Sequence, residues 1–342
     1  MRIKPLFITL LAVASCSQQS DLTSSASAQM LINGAGATFP YPIYSKWFDE
    51  YARVDSSVRF NYQSIGSGGG QKQILAQTVD FGASDGPMSD ENLGKAPGKI
   101  LHIPTVAGAV VITYNLPENP KLKLDGSAVA GIFLGKISKW NDTRIADLNP
   151  GVKLPDTDLV VVHRSDGSGT SYIFTDFLSN VSPQWAQGPG KGTSVKWPAG
   201  LGGKGNEGVA GLVKQTPGSV GYVELIYAHQ NKLPYADLKN AAGNFIAPSL
   251  ASISEALASA KIPEDFRFSM VNPPGEKAYP VCGATWLLVY QQQKDAVKGK
   301  KLVEFLNWAL NKGEGMASSL DYASLPESVQ QRVLERVKTI KY

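Results

Sequence analysis

Apolar residues along the chain alternate between the three- and four-residue spacing of amphipathic helices and the continuous runs of buried strands. Residues 39–52 have the helical spacing, residues 58–65 read as a strand, residues 69–78 as a helix and residues 79–83 as a short strand. Because strands that alternate with helices usually form a mostly parallel sheet covered on both faces, the pattern predicts an α/β fold. The Gly-, Lys- and Pro-rich residues 185–208 predict a long ordered loop.

Two longer apolar runs, residues 106–114 and 281–290, lie far apart in the chain and flank a middle portion with its own strand and helix signals. This order predicts two lobes. The first lobe combines both ends of the chain, residues 31–106 and 281–342, and the second is the inserted segment 107–280. The two long strands are then the crossovers between the lobes.

The N-terminus has the composition of a secretory signal. Residues 1–4 are basic, and the eleven residues 5–15 are apolar. That apolar stretch is too short to span a bilayer but suits the central region of a signal peptide. The sequence therefore predicts that the mature protein is located outside the cytoplasm.

Two cleavage sites compete in this region. Residues 13–16 resemble a bacterial lipobox, in which Cys16 is lipidated and becomes the first mature residue. Residues 26–28 offer an A-x-A site instead, but they lie farther from the apolar stretch than is usual. The lipobox is the favoured reading, with residues 1–16 as the signal segment and residues 17–30, rich in Ser, Gln and Ala, as a flexible tether.

Composition and charge exclude several classes of function for the 342-residue chain. Charged residues make up 18% and hydrophobic residues 43%, as in a soluble globular protein. The formal net charge is +4, and loss of Arg2 and Lys4 with the signal lowers it to +2. This balance gives no reason to expect a nucleic-acid partner. With Cys16 lipidated or removed, Cys282 has no disulfide partner and is predicted to be a buried strand residue.

Three segments share one design, a turn of glycine and hydroxyl residues that leads directly into a helix: residues 34–40, 65–71 and 164–171. Glycine lets the backbone approach a bound group, and the first N–H groups of a helix lack partners within the helix. With the positive end of the helix dipole, these N–H groups attract an anion. One such turn is ordinary helix capping, whereas three in one exported chain indicate an anion site. Hydroxyls that add neutral donors are those of Thr38, Ser67, Ser168 and Thr170.

Seven segments, in the same order, resemble the phosphate-binding component of the bacterial phosphate ABC transporter over essentially the whole mature chain. They are GAGATFP at 34–40, IGSGGG at 65–70, VDFGASD at 79–85, GKISKWND at 135–142, RSDGSGTS at 164–171, GSVGY at 218–222 and DYASLP at 321–326. The resemblance implies a two-lobed periplasmic binding protein fold of type II, α/β, with mixed or parallel sheets flanked by helices and crossover hinge strands. It also implies high-affinity capture of inorganic phosphate and its delivery to membrane permease subunits, by a monomer that is no enzyme and needs no cofactor or metal.

The resemblance further implies which residues bind phosphate. The first lobe contributes Thr38, Phe39 through its backbone N–H, Ser67 and Asp85. The second lobe contributes Arg164, Asp166, Ser168, Gly169 and Thr170. Many relatives have a serine where this chain has Gly68, but that position is not among the usual ligand contacts.

Asp85 has a physical role in this set that the resemblance does not supply. A carboxylate only accepts hydrogen bonds, and phosphate near neutral pH keeps at least one acidic proton to donate. Sulfate is fully ionised and has no such proton, so Asp85 is predicted to reject it. Arg164 offers a planar fork that suits a tetrahedral oxyanion, and Asp166 is expected to orient that fork. A purely structural Arg164–Asp166 ion pair is the plainer alternative.

Other functions find less support in the sequence. Residues 198–205 lack the glycine and the Ser/Thr that a P-loop requires, and no G-x-S-x-G elbow surrounds Ser67 or Ser168. The histidines lack metal-ligand spacing. A binding protein for another oxyanion, such as sulfate or molybdate, and a secreted phosphatase stay open as alternatives. The second would need a nucleophile and a metal or general acid, none of which the sequence offers.

Overall fold

The structure is a computed structural model, and it describes residues 29–342. The signal segment 1–16, the candidate lipidation site Cys16 and most of the tether lie outside the described residues. The strands are β1 (Met30–Gly36), β2 (Val58–Ser64), β3 (Phe81–Ser84), β4 (Ile100–Tyr114), β5 (Lys123–Leu124), β6 (Val160–Arg164), β7 (Leu201–Gly203), β8 (Ser219–Glu224), β9 (Asp237–Lys239), β10 (Phe245–Ile246), β11 (Met270–Val271), β12 (Val281–Tyr290) and β13 (Ala323–Ser324).

The helices lie between and after these strands. They are α1 (Tyr41–Val54), α2 (Ser67–Leu75), α3 (Asp90–Gly94), α4 (Gly126–Phe133), α5 (Thr143–Ala146), α6 (Gly169–Val181), α7 (Pro183–Gln187), α8 (Gly205–Gln215), α9 (Leu225–Asn231), α10 (Leu250–Ala258), α11 (Ala296–Asn311), a 3₁₀ helix (Gly313–Leu320) and α12 (Glu327–Val337). Within residues 29–342 no helix is both long and apolar enough to cross a membrane.

One continuous sheet runs through the molecule in the order β2-β1-β3-β12-β4-β8-β6-β7, with β11 paired to β12 and β13 to β4. β1 is parallel to β2 and β3, and β6 is parallel to β7 and β8. In the middle, β12 and β4 are antiparallel to their neighbours. The sheet is therefore mixed, with parallel flanks around an antiparallel centre. β5, β9 and β10 form a separate small sheet.

Strand β4 holds the sheet together because its two ends pair with different partners. Residues 100–109 pair with β12, whereas residues 110–114 pair with β8. All fifteen residues of β4 are buried, as expected for a strand covered on both faces. We call β2, β1, β3 and β12 the first half-sheet, and β8, β6 and β7 the second half-sheet.

Each half-sheet has its own aromatic core. Beside the first, α1 buries Tyr44, Trp47 and Phe48, and the rings of Phe60 and Phe305 lie 4.4 Å apart. Beside the second, the ring of Phe174 stacks on a tyrosine of β8 with 4.3 Å between centroids. Separate aromatic clusters make each half-sheet a packing unit, with β4 running between them.

The predicted elements are found with small displacements. Helices α1 and α2 lie within three residues of the predictions, β12 coincides with residues 281–290, and β4 begins six residues before its predicted start. The predicted loop 185–208 is wrong at both ends, because it contains the end of α7, the whole of β7 and the start of α8. Strand β7 escaped prediction since its Leu-Gly-Gly sequence lacks an apolar run; backbone pairing with β6 holds it at the sheet edge.

Candidate functional site

The predicted binding residues follow the carboxyl ends of parallel strands in both half-sheets. Thr38 follows β1, Ser67 follows β2 and Asp85 follows β3, while Asp166 follows β6. In open α/β sheets, ligands bind in the crevice outside these strand ends. The two crevices face each other here, and the polar side chains at the meeting point are buried: Thr38, Ser67, Asp85, Arg164, Ser168 and Thr170.

Asp85 is the acidic centre of the first half-sheet's contribution. Its Oδ1 accepts a 2.7 Å hydrogen bond from the hydroxyl of Thr285, and its Oδ2 lies 3.4 Å from the Ser67 hydroxyl. Burial raises the pKa of Asp85 to about 7, although the bond from Thr285, the charge of Arg164 and the Ser67 hydroxyl oppose that rise. Asp85 is therefore a carboxyl group that titrates near neutral pH inside the protein.

Arg164 and Asp166 form the charged part of the second half-sheet's contribution. Arg164 Nε and Nη2 donate to the two carboxylate oxygens of Asp166 at 2.7 and 2.6 Å, and the arginine side chain is 1% exposed. Asp166 Oδ1 also accepts from the backbone N–H of Gly205 at 3.1 Å. Burial opposes ionisation of Asp166, but the hydrogen bond and charge of Arg164 outweigh it and lower its pKa. Asp166 therefore orients the guanidinium fork of Arg164 and offsets part of its charge, and the same contact also fits the plainer alternative of a structural ion pair.

The start of helix α6 touches the first half-sheet directly. Ser168 is its N-cap, accepting from the Ser171 N–H at 3.0 Å. A Cβ atom on Gly169 would lie only 2.4 Å from both Asp85 Oδ2 and Ser67 Oγ. Nearby, Gly68 N–H donates to the carbonyl of Gly167 at 2.8 Å. Only glycine permits this approach, so the two half-sheets are in contact in a closed arrangement.

Thr38 and Phe39 complete the first half-sheet's part. The carbonyl of Thr38 accepts a 2.5 Å bond from the Tyr227 hydroxyl, and that of Phe39 accepts a 2.6 Å bond from the Tyr322 hydroxyl. The Phe39 side chain is fully buried. The two tyrosine hydroxyls thus hold the turn before α1 by its carbonyl groups. They leave the N–H group of Phe39 available to another acceptor.

The structure brings all nine predicted residues together, and it leaves several donors free. Among residues 29–342, the backbone N–H groups of Phe39, Ser67, Gly169 and Thr170 donate to no protein acceptor. These N–H groups stand at or just before the starts of α1, α2 and α6, where the helix dipoles add positive potential. The arrangement can hold a small anion mainly through neutral donors.

Two residues of the site were missed by sequence reasoning. Thr285 lies where the pairing of β12 with β4 shifts register, between Ala284 and Trp286, and such an irregularity re-aims a side chain. No local signal marks it. Asn206 contacts Thr38 and Thr170 from the start of α8. The sequence does contain a signal for Asn206, because residues 202–206 form a fourth glycine-rich turn before a helix.

Two histidines outside this site have structural partners. His102 Nε2 accepts from the backbone N–H of Met88 at 3.0 Å, and burial lowers its pKa to about 4. His229 pairs with Asp321 at 2.6 Å. Cys282 is buried, as predicted, and burial raises its pKa. Within the described part of the chain, no group of three or more His, Cys, Asp or Glu residues could hold a metal ion.

Comparisons with known proteins agree on one family. The family model of the PBP superfamily domain matches residues 23–312. Phosphate-binding protein PstS of Pasteurella multocida is 48% identical over 90% of this chain and 90% of its own length. Phosphate-binding protein PstS of Xylella fastidiosa (strain Temecula1) is 46% identical over 93% and 88%, respectively.

Solved structures share the fold. A high-affinity periplasmic phosphate-binding protein, PfluDING, solved with phosphate bound, superposes with a TM-score of 0.71 at 21% identity, covering 92% of this chain and 99% of its own. At that identity the likeness establishes the fold, and the predicted two-lobed binding-protein fold is confirmed. With 48% identity to a PstS protein across nearly its whole length, the chain belongs to the PstS family of phosphate-binding proteins within the PBP superfamily.

Proposed function

We propose that this protein binds inorganic phosphate with high affinity outside the cytoplasmic membrane and delivers it to the permease of an ABC transporter for import. One observation carries the proposal: residues scattered from Thr38 to Thr170 converge on one buried point, where several backbone N–H groups have no acceptor among residues 29–342. The names of the PstS relatives agree with it. Binding, without covalent chemistry, is the function that this set of side chains supports.

The chemistry of the set favours phosphate over other oxyanions. Helix-start N–H groups and hydroxyls donate to the phosphate oxygens, and the Arg164 fork adds one cation. Asp85 accepts the proton that phosphate retains near neutral pH. Since sulfate has no such proton, it would leave Asp85 buried against an unshared negative charge.

The division into lobes is part of the proposal. The first lobe comprises residues 31–106 and 281–342, and the second comprises residues 107–280. Support comes from β4, which pairs with a different half-sheet at each end. Because both lobes supply ligand contacts, phosphate binding shifts a hinge equilibrium toward the closed form, which the permease recognises.

Export and anchoring complete the proposal. The basic and apolar start of the sequence and the periplasmic location stated for a structural relative support a position outside the cytoplasm. We place the lipid on Cys16 and treat the mature protein as a monomer. The intact mass of the mature protein tests the anchor, because a lipidated Cys16 adds acyl mass whereas cleavage after Ala28 does not.

Titration calorimetry on protein freed of bound phosphate tests the binding function. At pH 8, where the Asp85 carboxyl is mostly ionised, we expect tight binding of phosphate and sulfate binding weaker by about tenfold or more, because sulfate cannot supply the hydrogen bond that this carboxylate requires. Equally tight sulfate binding would identify a general oxyanion carrier instead. Steady release of phosphate from an ester by the pure protein would indicate a phosphatase.

A further inference from the structure

Asn206 joins the two sides of the proposed phosphate site. It is fully buried near the start of α8, beside the second half-sheet. Its Nδ2 lies 2.7 Å from Thr38 Oγ1, which belongs to the first side, and 3.0 Å from Thr170 Oγ1, which belongs to the second. One side-chain amide therefore contacts two of the predicted ligand hydroxyls.

The orientation of this amide is fixed by the backbone. The N–H of Glu224 donates to Asn206 Oδ1 at 3.0 Å. The oxygen of the amide must face that N–H, so the NH₂ group must face the two threonines. A flipped amide would set two donors against each other at Glu224.

This orientation sets the direction of both threonine hydrogen bonds. Because the NH₂ group can only donate, the hydroxyl oxygens of Thr38 and Thr170 accept. Each oxygen has a second donor, the Asn206 backbone N–H at 3.3 Å for Thr38 and Arg164 Nη1 at 3.4 Å for Thr170. Within residues 29–342 neither hydroxyl donates to a protein acceptor, so both protons are available to a ligand.

We infer that Asn206 is a positioning residue that holds the Thr38 and Thr170 hydroxyls as donors toward the bound anion. The inference rests on the proposed function. It explains how the site distinguishes a ligand oxygen that only accepts hydrogen bonds from one that carries a proton. Since Thr38 lies on the opposite side from Asn206 and Thr170, Asn206 orients both hydroxyls together only when the cleft is closed.

Asn206→Asp tests the inference by reversing the polarity of the bridge. A carboxylate cannot donate, so both hydroxyls would turn their protons toward it and away from the ligand. Loss of two hydrogen bonds to an anion predicts phosphate affinity lower by about 100-fold. The matched control is Asn149→Asp, a buried asparagine bonded to Lys123 and Ile145. It should lower thermal stability while phosphate affinity changes by less than about threefold.

A double-mutant cycle separates positioning from general structural damage. Asn206→Ala should weaken phosphate binding about tenfold in the otherwise unchanged protein. Combined with Thr38→Val and Thr170→Val, it should weaken binding by less than about threefold, because no hydroxyl remains to be oriented. This cycle also serves if the Asn206→Asp protein fails to fold.

The outcomes keep the two proposals apart. If the unchanged protein binds phosphate tightly and Asn206→Asp binds as well, the role of Asn206 is refuted and the proposed function stands. Equal losses from Asn206→Ala with and without the two hydroxyls would likewise reduce Asn206 to a packing residue. Absence of phosphate binding by the unchanged protein would remove both proposals.

Discussion

Two opposing effects act on the pKa of the Asp85 carboxyl group. Burial favours its neutral form, whereas nearby hydrogen-bond donors favour its charged form. Burial prevails, and the pKa rises to about 7. The Thr285 hydroxyl occupies Oδ1 at 2.7 Å, which leaves Oδ2 as the oxygen that lies beside Ser67 and the start of α6. At this oxygen the protonation state decides whether the site accepts a hydrogen bond or offers one.

Asp85→Asn should erode selectivity more than affinity. The amide oxygen can still accept the phosphate proton, while the amide NH₂ can donate to sulfate and no charge repels it. We expect the phosphate-to-sulfate affinity ratio, measured by calorimetry at pH 8, to fall by about tenfold, because about nine-tenths of Asp85 is ionised at that pH. Asp237→Asn is the matched control, a buried acid paired with Lys121 at 3.1 Å, and should keep the ratio. Unchanged sulfate rejection in Asp85→Asn would contradict the role of Asp85.

The raised pKa predicts a pH dependence in the unaltered protein. Below about pH 7, Asp85 gains a proton and can donate to a fully ionised ligand. Sulfate affinity should therefore rise about tenfold as the pH falls from 8 to 5, since the protonated fraction grows from about a tenth to nearly one. In Asp85→Asn that dependence should disappear. A sulfate affinity independent of pH in the unaltered protein would mean that Asp85 stays ionised.

At the scale of elements, the site is made by helix starts that approach one another without side chains between them. The N-cap of α2 is Gly66, whose φ of 84° lies in the left-handed region. A Cβ there would lie 2.4 Å from Asp166 Oδ2. Because glycine places no side chain at such positions, the helix-start N–H groups of both sides can lie within reach of one small ion.

Gly169→Ala should prevent full closure. The added methyl would meet Asp85 and Ser67 at 2.4 Å, and overpacking of this kind predicts phosphate affinity lower by about 10- to 100-fold. Gly211→Ala is the control, because its methyl would point into open space within α8. It should leave affinity unchanged and raise the free energy of unfolding by about 1 kcal/mol. Equal affinities for the two variants would show that the cleft tolerates a wider closed form.

At the scale of the whole molecule, β4 connects the two half-sheets, because it pairs with β12 at one end and with β8 at the other. Each half-sheet packs its own aromatic cluster, and residues 262–264 of the proposed second lobe are additionally bound to the first lobe by Arg332 and Arg336. The exposed His229–Asp321 pair adds little to closure, as surface ion pairs are weak. The closed form is held by the ligand contacts together with direct hydrogen bonds between the two sides, from Gly68 to Gly167 and from Tyr227 to Thr38.

Small-angle X-ray scattering tests this balance. Removal of phosphate should increase the radius of gyration, since the closed form loses the contacts that favour it, and readdition should reverse the change. Gly169→Ala, which resists closure, should change less on phosphate addition. Identical radii with and without phosphate in the unaltered protein would exclude a hinge motion of the proposed kind.

Much of the fold and site could be predicted because their signals are local. Helix α1 and strand β12 follow from apolar spacing. Four candidate hydroxyls follow from the glycine turns, and the full set of nine candidate residues follows from the family resemblance carried by seven ordered motifs. The edge strand β7 could not be predicted in this way. Its position depends on a neighbour to pair with, and backbone pairing leaves no trace in side-chain pattern.

Sequence alone determined which groups are offered: helix-start N–H groups, hydroxyls, one arginine and two acids, each set by a short stretch of chain. Tertiary structure decided what surrounds them. Thr285 reaches Asp85 across 200 residues of sequence, and Asn206 reaches Thr38 across 168. The reason is physical, since the pKa of a buried acid and the direction of a hydroxyl bond depend on neighbours that only the closed packing of both half-sheets brings together.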